Sequence, residues 1–389
     1  MALQAEVQRA HWGGIYAMTL CVFVLIASEF MPVSLLSPIA ADLGVTEGLA
    51  GQGIAISGAL AVITSLTLSR LIAGLDRRYL LLGMTALMAF SGAMIAMAAN
   101  YVVYMVGRAL IGIAIGGFWS MSAATAIRLV PESQVPRALA IFNGGNALAT
   151  VIAAPLGSYL GDVMGWRGAF FCLVPVAIAA FIWQWFSLPA MQYRQQRSRV
   201  LPLFARPVVA VGLLACGLFF MGQFTLFTYV RPFLEGITQV RGTALSAVLL
   251  IIGVMGFIGT LIVGRLLKHG IYHTLILIPL LMAAMAIALM IFGQQIWFVV
   301  PLLGAWGLVA TAAPTGWWTW LARTLPHDAE AGGGVMVAII QLSIALGSTL
   351  GGLMYDHHGW HSTFVLSAGV LLCASVITFT TSRKHTLRS

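Results

Sequence analysis

Residues 156–170 read LGSYLGDVMGWRGAF, and residues 350–364 read LGGLMYDHHGWHSTF. Gly157, Asp162, Gly165, Trp166 and Phe170 recur as Gly351, Asp356, Gly359, Trp360 and Phe364, each 194 residues further on. That offset is half the 389-residue chain. A weaker echo sets Arg128 and Pro131 opposite Arg323 and Pro326 at an offset of 195. A repeat at half length predicts two similar bundles with a pseudo-twofold relation.

Composition says what the bundles are made of. The chain is 60% hydrophobic and 8% charged, with mean hydropathy +0.97. Soluble domains carry about 25% charged residues, so this chain reads as an all-α polytopic membrane protein. No segment between apolar runs is long enough for a soluble domain. The net charge of +9 does not point to nucleic acid, because the Arg residues are spread over short loops and form no single basic face. Cys21, Cys172, Cys216 and Cys373 all lie inside apolar runs and read as buried thiols, with no disulfide framework.

A bilayer core about 30 Å thick needs about 20 helical residues per crossing. Twelve segments qualify: 13–37, 49–69, 79–99, 102–126, 138–161, 168–189, 208–230, 243–264, 271–292, 296–321, 332–354 and 362–382. The first is too long for a signal-peptide core and carries Glu29, so it reads as an uncleaved helix. Of twenty basic residues, sixteen fall on the side of the N-terminus. Only Arg167, Arg231 and Arg241 fall opposite, and Arg108 lies within a span. The positive-inside rule then puts both termini in the cytoplasm. The expected organisation is an N-terminal six-helix bundle (1–189), a basic cytoplasmic linker (190–207) and a C-terminal six-helix bundle (208–389).

Within the first span Glu29 is the only charge between Trp12 and Ile39. A lone carboxylate in a bilayer costs about 3 kcal/mol or more unless it is protonated or faces a polar cavity. A chain that keeps one is expected to use its proton. The repeat offset maps Glu29 onto Gln223, which suggests titration in the first half and hydrogen bonding in the second. Arg108 is the one basic residue inside a span. Gly112, Gly116 and Trp119 follow on its helix face, where small residues admit a close neighbour. Burial favours the neutral form of a carboxylate and a nearby cation the charged form, so movement between two such environments is what a coupling carboxylate requires.

Other polar and aromatic side chains interrupt the apolar runs. Asn143 and Asn146 share a face of the fifth helix. Gln223, Thr228 and Tyr229 lie on the seventh, and Gln341 on the eleventh. Trp306, Trp317, Trp318 and Trp320 crowd the tenth, where Trp320, close to Arg323, is expected in the interfacial aromatic belt. Aromatic faces and amides suit a purine ring or a sugar equally. His357, His358 and His361 read as interfacial histidines, and no metal or other cofactor is expected. Motifs of zinc proteases, phosphate-binding loops and serine hydrolases are missing, so no enzyme is expected.

The segments EFMPVSLLSPIAADLGVTEGLAGQ (29–52), GRALIGIAIGGFWSMSAATAIRLVP (107–131), APLGSYLGDVMGWRGAF (154–170), GQFTLFTYVRP (222–232) and PTGWWTWLARTL (314–325) resemble the major facilitator superfamily. Within it the chain looks like a twelve-helix drug and metabolite proton antiporter, closest to the purine ribonucleoside efflux branch. The resemblance implies a monomer in the bacterial inner membrane. It implies proton-coupled efflux of purine ribonucleosides by alternating access, with arabinose-type sugars or amphipathic drugs as alternative solutes. Glu29 and Arg108 would carry proton coupling. Trp119, Asn143, Asn146, Gln223, Thr228, Tyr229 and Gln341 would contact solute. In RLIAGLDRRY (70–79) the chain keeps Asp76, Arg77 and Arg78 of a family loop pattern, with altered glycine spacing. In APLG (154–157) it keeps Pro155 and Gly157 of the antiporter signature. These five residues are the conformational candidates.

Overall fold

The structure is a computed structural model and describes residues 10–71, 75–191, 206–325 and 329–386. Its helices are α1 (Trp12–Leu43), α2 (Glu47–Leu71), α3 (Arg77–Ala96), α4 (Tyr101–Arg128), α5 (Val135–Ser187), α6 (Pro207–Phe227), α7 (Val230–Gly236), α8 (Gly242–His269), α9 (Ile271–Phe292), α10 (Ile296–Thr324), α11 (Ala329–His358) and α12 (Trp360–Thr386). A single 3-10 turn, Glu132–Gln134, precedes α5.

Eleven of these stretches are long and apolar enough to cross a bilayer. One of them holds two crossings. The 53 residues of α5 bend at Gly165, whose φ of 79° and ψ of 163° leave helical space. Gly359, its partner in the repeat, takes φ 80° between α11 and α12. Only glycine enters this region without strain, so the repeat preserves the same turn in both halves. Twelve membrane helices in two pseudo-symmetric six-helix bundles result.

Most helices extend past the apolar segments, by up to six residues at the end of α1. Gly44, left-handed at φ 64°, closes α1, and its N–H bonds Ala40. Asp76 caps α3 by accepting from Arg78 N at 2.8 Å, and Asn100 caps α4 by accepting from Val103 N at 3.0 Å. The seventh crossing continues past its apolar run. Pro232 has no N–H for the Thr228 carbonyl, and the helix breaks between Phe227 and Val230 before resuming as α7. Arg231, expected in a loop, is therefore a helical residue, and only 3% exposed.

Glycines set the packing distances. A Cβ on Gly112 would fall 2.8 Å from Ser57 Cα, and one on Gly116 would fall 2.9 Å from Ala61 Cα, so α4 lies directly on α2. Gly157 meets Met31 and Ser34 in the same way where α5 crosses α1. Buried apolar side chains form two clusters. One is drawn from α1 to α5 with Tyr229, and the other from α6 to α12 with Val33 and Ile54.

Two expectations are corrected here. Trp320 does not turn outward to an interfacial belt. It is buried with Trp306 and Trp317, and its indole N–H donates to Tyr272 Oη at 3.2 Å, whereas Trp318 is the exposed one. The four cysteines are free thiols, but only Cys21 and Cys216 are buried; Cys172 is half-buried and Cys373 exposed. An apolar run shows that a residue lies in a crossing, not which way it faces. The linker expected at 190–207 is described only at its ends, because 192–205 lie outside the described residues.

Candidate functional site

Contacts between the halves share one polarity. Gln341 on α11 reaches Glu29 at mid-depth. Phe30 stacks on Phe224 with centroids 5.6 Å apart. Thr349 donates to Gln52 at 3.1 Å. Thr46 donates to Asp356 at 2.6 Å, and Gly48 N–H does so at 3.0 Å. Arg231 donates to the Ser34 carbonyl and sits 3.6 Å from Asp162. Among the described residues, every hydrogen bond between the halves lies at Glu29 or beyond it, away from the chain termini. The far end is shut.

The two aspartates of the repeat share this closure. Asp162 reaches α7 of the second half, and Asp356 reaches the turn between α1 and α2 of the first. The halves are thus clasped twice, by equivalent residues in opposite directions.

Two prolines in α1 organise the buried charges. Pro32 cannot bond the Ser28 carbonyl, and Pro38 cannot bond that of Ser34. Each freed oxygen is taken by a buried arginine. Arg108 Nη1 donates to Ser28 O at 2.7 Å, and Arg231 Nη1 donates to Ser34 O. Arg108 also donates to Gly53 O at 3.0 Å, to Ser57 Oγ at 3.1 Å and to Glu29 O at 3.2 Å. Its guanidinium is 0% exposed, so it points into the bundle and does not reach for the interface. A buried charge is tolerable when its donors are met in this way.

Glu29 is 3% exposed. Arg108 meets it through its main chain, and no ion pair joins the two side chains among the described residues. The carboxylate instead accepts from Gln341 Nε2 at 3.0 Å, across the seam between the halves. The oxygen of that amide, Gln341 Oε1, is buried without a hydrogen-bond partner among the described residues, as is Gln223 Oε1.

The remaining expected residues divide. Trp119 is half-buried and packs edge-on to Phe142 at 6.1 Å. Asn143 is exposed and Asn146 half-buried on the terminal side of α5, and no side-chain hydrogen bond engages either among the described residues. Thr228 and Tyr229 are not brought to this region. Both are 0% exposed at the shut end, where Thr228 Oγ1 pairs with Ser348 Oγ at 3.0 Å and Tyr229 Oη donates to Ser348 O at 2.7 Å. Tyr229 also stacks on Tyr355. Asp76, Arg77 and Arg78 tie α3 to the end of α5 within one half: Met191 N donates to Asp76 at 2.9 Å, and Arg78 donates to Trp185 O at 2.6 Å. Pro155 lies inside α5, and Gly157 is the close contact to α1 already described. The sequence reading missed Pro32 and Pro38, although their spacing from Glu29 was a visible signal. It could not give the Glu29–Gln341 pairing, which spans 312 residues.

Comparison with known proteins agrees with this architecture. The family model of the Major Facilitator Superfamily matches residues 18–348. A relative from Pseudomonas aeruginosa strain PAO1, named transcription regulatory protein OpdE, is 60% identical over 382 residues, covering 97% of this chain and 95% of its own. The purine ribonucleoside efflux pump NepI of Salmonella typhimurium strain LT2 is 38% identical over 373 residues, covering 95% of this chain and 94% of its own. Among solved structures, a variant of the nucleoside transporter NupG superposes with a TM-score of 0.74 at 12% identity, over 95% of this chain and 98% of that one. At that identity the likeness concerns the fold alone. The chain belongs to the Major Facilitator Superfamily and is built as one of its membrane transporters.

Proposed function

We propose that this chain exports purine ribonucleosides, of the inosine and guanosine type, in exchange for protons by alternating access. The observation that carries the reading is the buried Glu29 carboxylate at the seam, held by Gln341 of the opposite half with Arg108 buried behind it. A carboxylate so placed changes its bonding to the other half whenever it gains or loses a proton. The 38% identity to a protein named as a purine ribonucleoside efflux pump supports the solute class. Trp119, Asn143, Asn146 and Gln223 are the remaining side chains suited to hold a base or a ribose on the side that is not clasped.

In this reading the termini are cytoplasmic, the membrane is the bacterial inner one and the unit is a monomer. The two bundles, 1–189 and 208–389, rock about the linker 190–207. Asp76, Arg77, Arg78, Pro155 and Gly157 stiffen the first. The clasped end faces out, so the conformation is open to the cytoplasm. Exchange of one proton for a neutral nucleoside moves charge and draws about 2.3 kcal/mol per 100 mV from the membrane potential. The test is uphill uptake of labelled inosine by energised everted vesicles. Wild type should accumulate it and Glu29→Gln should not; uphill accumulation by Glu29→Gln removes Glu29 from coupling.

A second reading follows from the name of the 60% identical relative, a transcription regulatory protein. A transporter alters transcription when it changes the level of a signalling solute. If the effect on transcription persists in cells carrying the uncoupled Glu29→Gln protein, regulation is separate from proton-coupled export.

A further inference from the structure

The bond between Glu29 and Gln341 is chemically incomplete as it stands. Gln341 offers a donor and an acceptor side by side. An ionised carboxylate only accepts, so it uses the N–H and leaves the amide oxygen alone. That oxygen is buried in a residue only 7% exposed and has no partner among the described residues. Leaving a buried acceptor unmet destabilises the arrangement.

A neutral carboxylic acid is the complementary shape. Its O–H would donate to Gln341 Oε1 while its carbonyl oxygen kept the N–H of Nε2. Protonation would thus turn one hydrogen bond across the seam into a closed two-bond ring. No bond to carbon is made or broken, and the proton comes from water on one face and leaves to water on the other.

We propose that Gln341 is the residue through which proton and solute exclude one another. Its amide rings with protonated Glu29, and the same amide edge, once the proton has left, takes a solute carrying an adjacent donor and acceptor. This rests on the proposed exchange of protons for purine nucleosides. The lactam edge of a 6-oxopurine, a carbonyl beside an N–H, fits that amide in the same two-bond pattern. A flexible sugar hydroxyl does not present such a rigid pair. The proton and the base need never touch; each takes the amide from the other. Protonation also strengthens a bond between the halves and so favours the conformation clasped at the far end. That is the direction an antiporter needs for its proton-loaded return.

The surroundings leave this pair to act alone. α4 contributes Arg108, bonded to the Glu29 main chain, and Tyr104 beside it. α1 itself contributes Cys21, whose sulfur lies 3.3 Å from Thr85 Oγ1 on α3. α7 contributes Arg231, committed to Ser34, Asp162 and Glu235. At this depth α2, α5, α6 and α11 contribute Ser57, Gly157, Phe224 and Gln341, none of which titrates.

The experiment measures inosine binding by calorimetry in nanodiscs from pH 5 to 9, for wild type, Gln341→Met and Gln341→Asn. Infrared difference spectra record the carbonyl band of protonated Glu29 without solute. Wild type should lose affinity about tenfold per pH unit on the acid side, as one proton competing with one solute requires. Gln341→Met, similar in volume, should bind more weakly and with no pH dependence, and its acid carbonyl band should move to higher frequency as the ring is lost. Gln341→Asn keeps the amide on a shorter arm and should retain part of the slope. If Gln341→Met lowers affinity equally at every pH and leaves the band in place, Gln341 is a solute contact only; the inference falls while proton-coupled transport stands. If wild-type binding is itself independent of pH, the proton-exchange reading and the inference fall together.

Discussion

Removal of the Asp356 carboxylate should loosen the far end of the molecule by a predictable amount. In Asp356→Ala two bonds between the halves disappear: the Thr46 hydroxyl at 2.6 Å and the Gly48 N–H at 3.0 Å. A buried hydrogen bond to a charged group is worth about 1.5–3 kcal/mol. Asp356 and Thr46 are exposed, and water replaces much of what is lost, so about 0.5–1 kcal/mol each is the appropriate scale. The sum, about 1–2 kcal/mol, changes a two-state ratio roughly 5- to 30-fold. The repeat-related clasp of Asp162 on Arg231 remains, so the far end should open more often and not permanently. Spin labels at Leu49→Cys and His361→Cys, in a background with the four native cysteines replaced, report the span across this end. Double electron–electron resonance in nanodiscs should show the long-distance population growing by that factor, with Asp356→Asn intermediate. A population that changes less than twofold refutes the clasp.

Arg108→Lys keeps the charge but offers one ammonium where Gly53 O, Ser28 O, Glu29 O and Ser57 Oγ now converge on a fork. It should lower the unfolding midpoint in detergent by several degrees, at a cost of about 2–4 kcal/mol, and reduce inosine-driven proton movement more than tenfold; full activity would show that charge alone suffices. Gly112→Val would drive a side chain into Ser57 Cα, 2.8 Å from its Cβ, and should cost about 1–3 kcal/mol, read as loss of monodisperse protein on size exclusion. Tyr229→Phe keeps the stack on Tyr355 but loses the 2.7 Å bond to Ser348 O, a loss of about 1 kcal/mol. Both residues belong to the second half, so the loss should lower the unfolding midpoint in detergent and leave the spin-label span unchanged.

The crossings were legible in the sequence, because apolar length is a local property, and the repeat marked Gly165 and Gly359 as equivalent, although their positive φ came from the structure. Glu29 and Arg108 were legible as anomalies, because each is the only charge within its apolar run. Their partners were not. Most of these helices are apolar on nearly every side, so periodicity does not say which face meets protein and which meets lipid. Thr228 and Tyr229 therefore read as candidates for a solute site, although the chain buries them at the shut end against Ser348. Arg231 read as a loop residue because the apolar run ends at 230, whereas the chain breaks between Phe227 and Val230 and resumes as a helix. The shared logic of Pro32 with Arg108 and of Pro38 with Arg231 needed coordinates, because it joins a carbonyl on one helix to a guanidinium from another.

Exchange of a proton at Glu29 for a nucleoside is measured by adding inosine to everted vesicles holding an acid interior. With wild-type protein the lumen should become more alkaline in a saturable, inosine-dependent manner. With Glu29→Gln it should not, although inosine still equilibrates down its gradient. Equal proton movement in the two proteins would show that Glu29 does not couple proton to nucleoside.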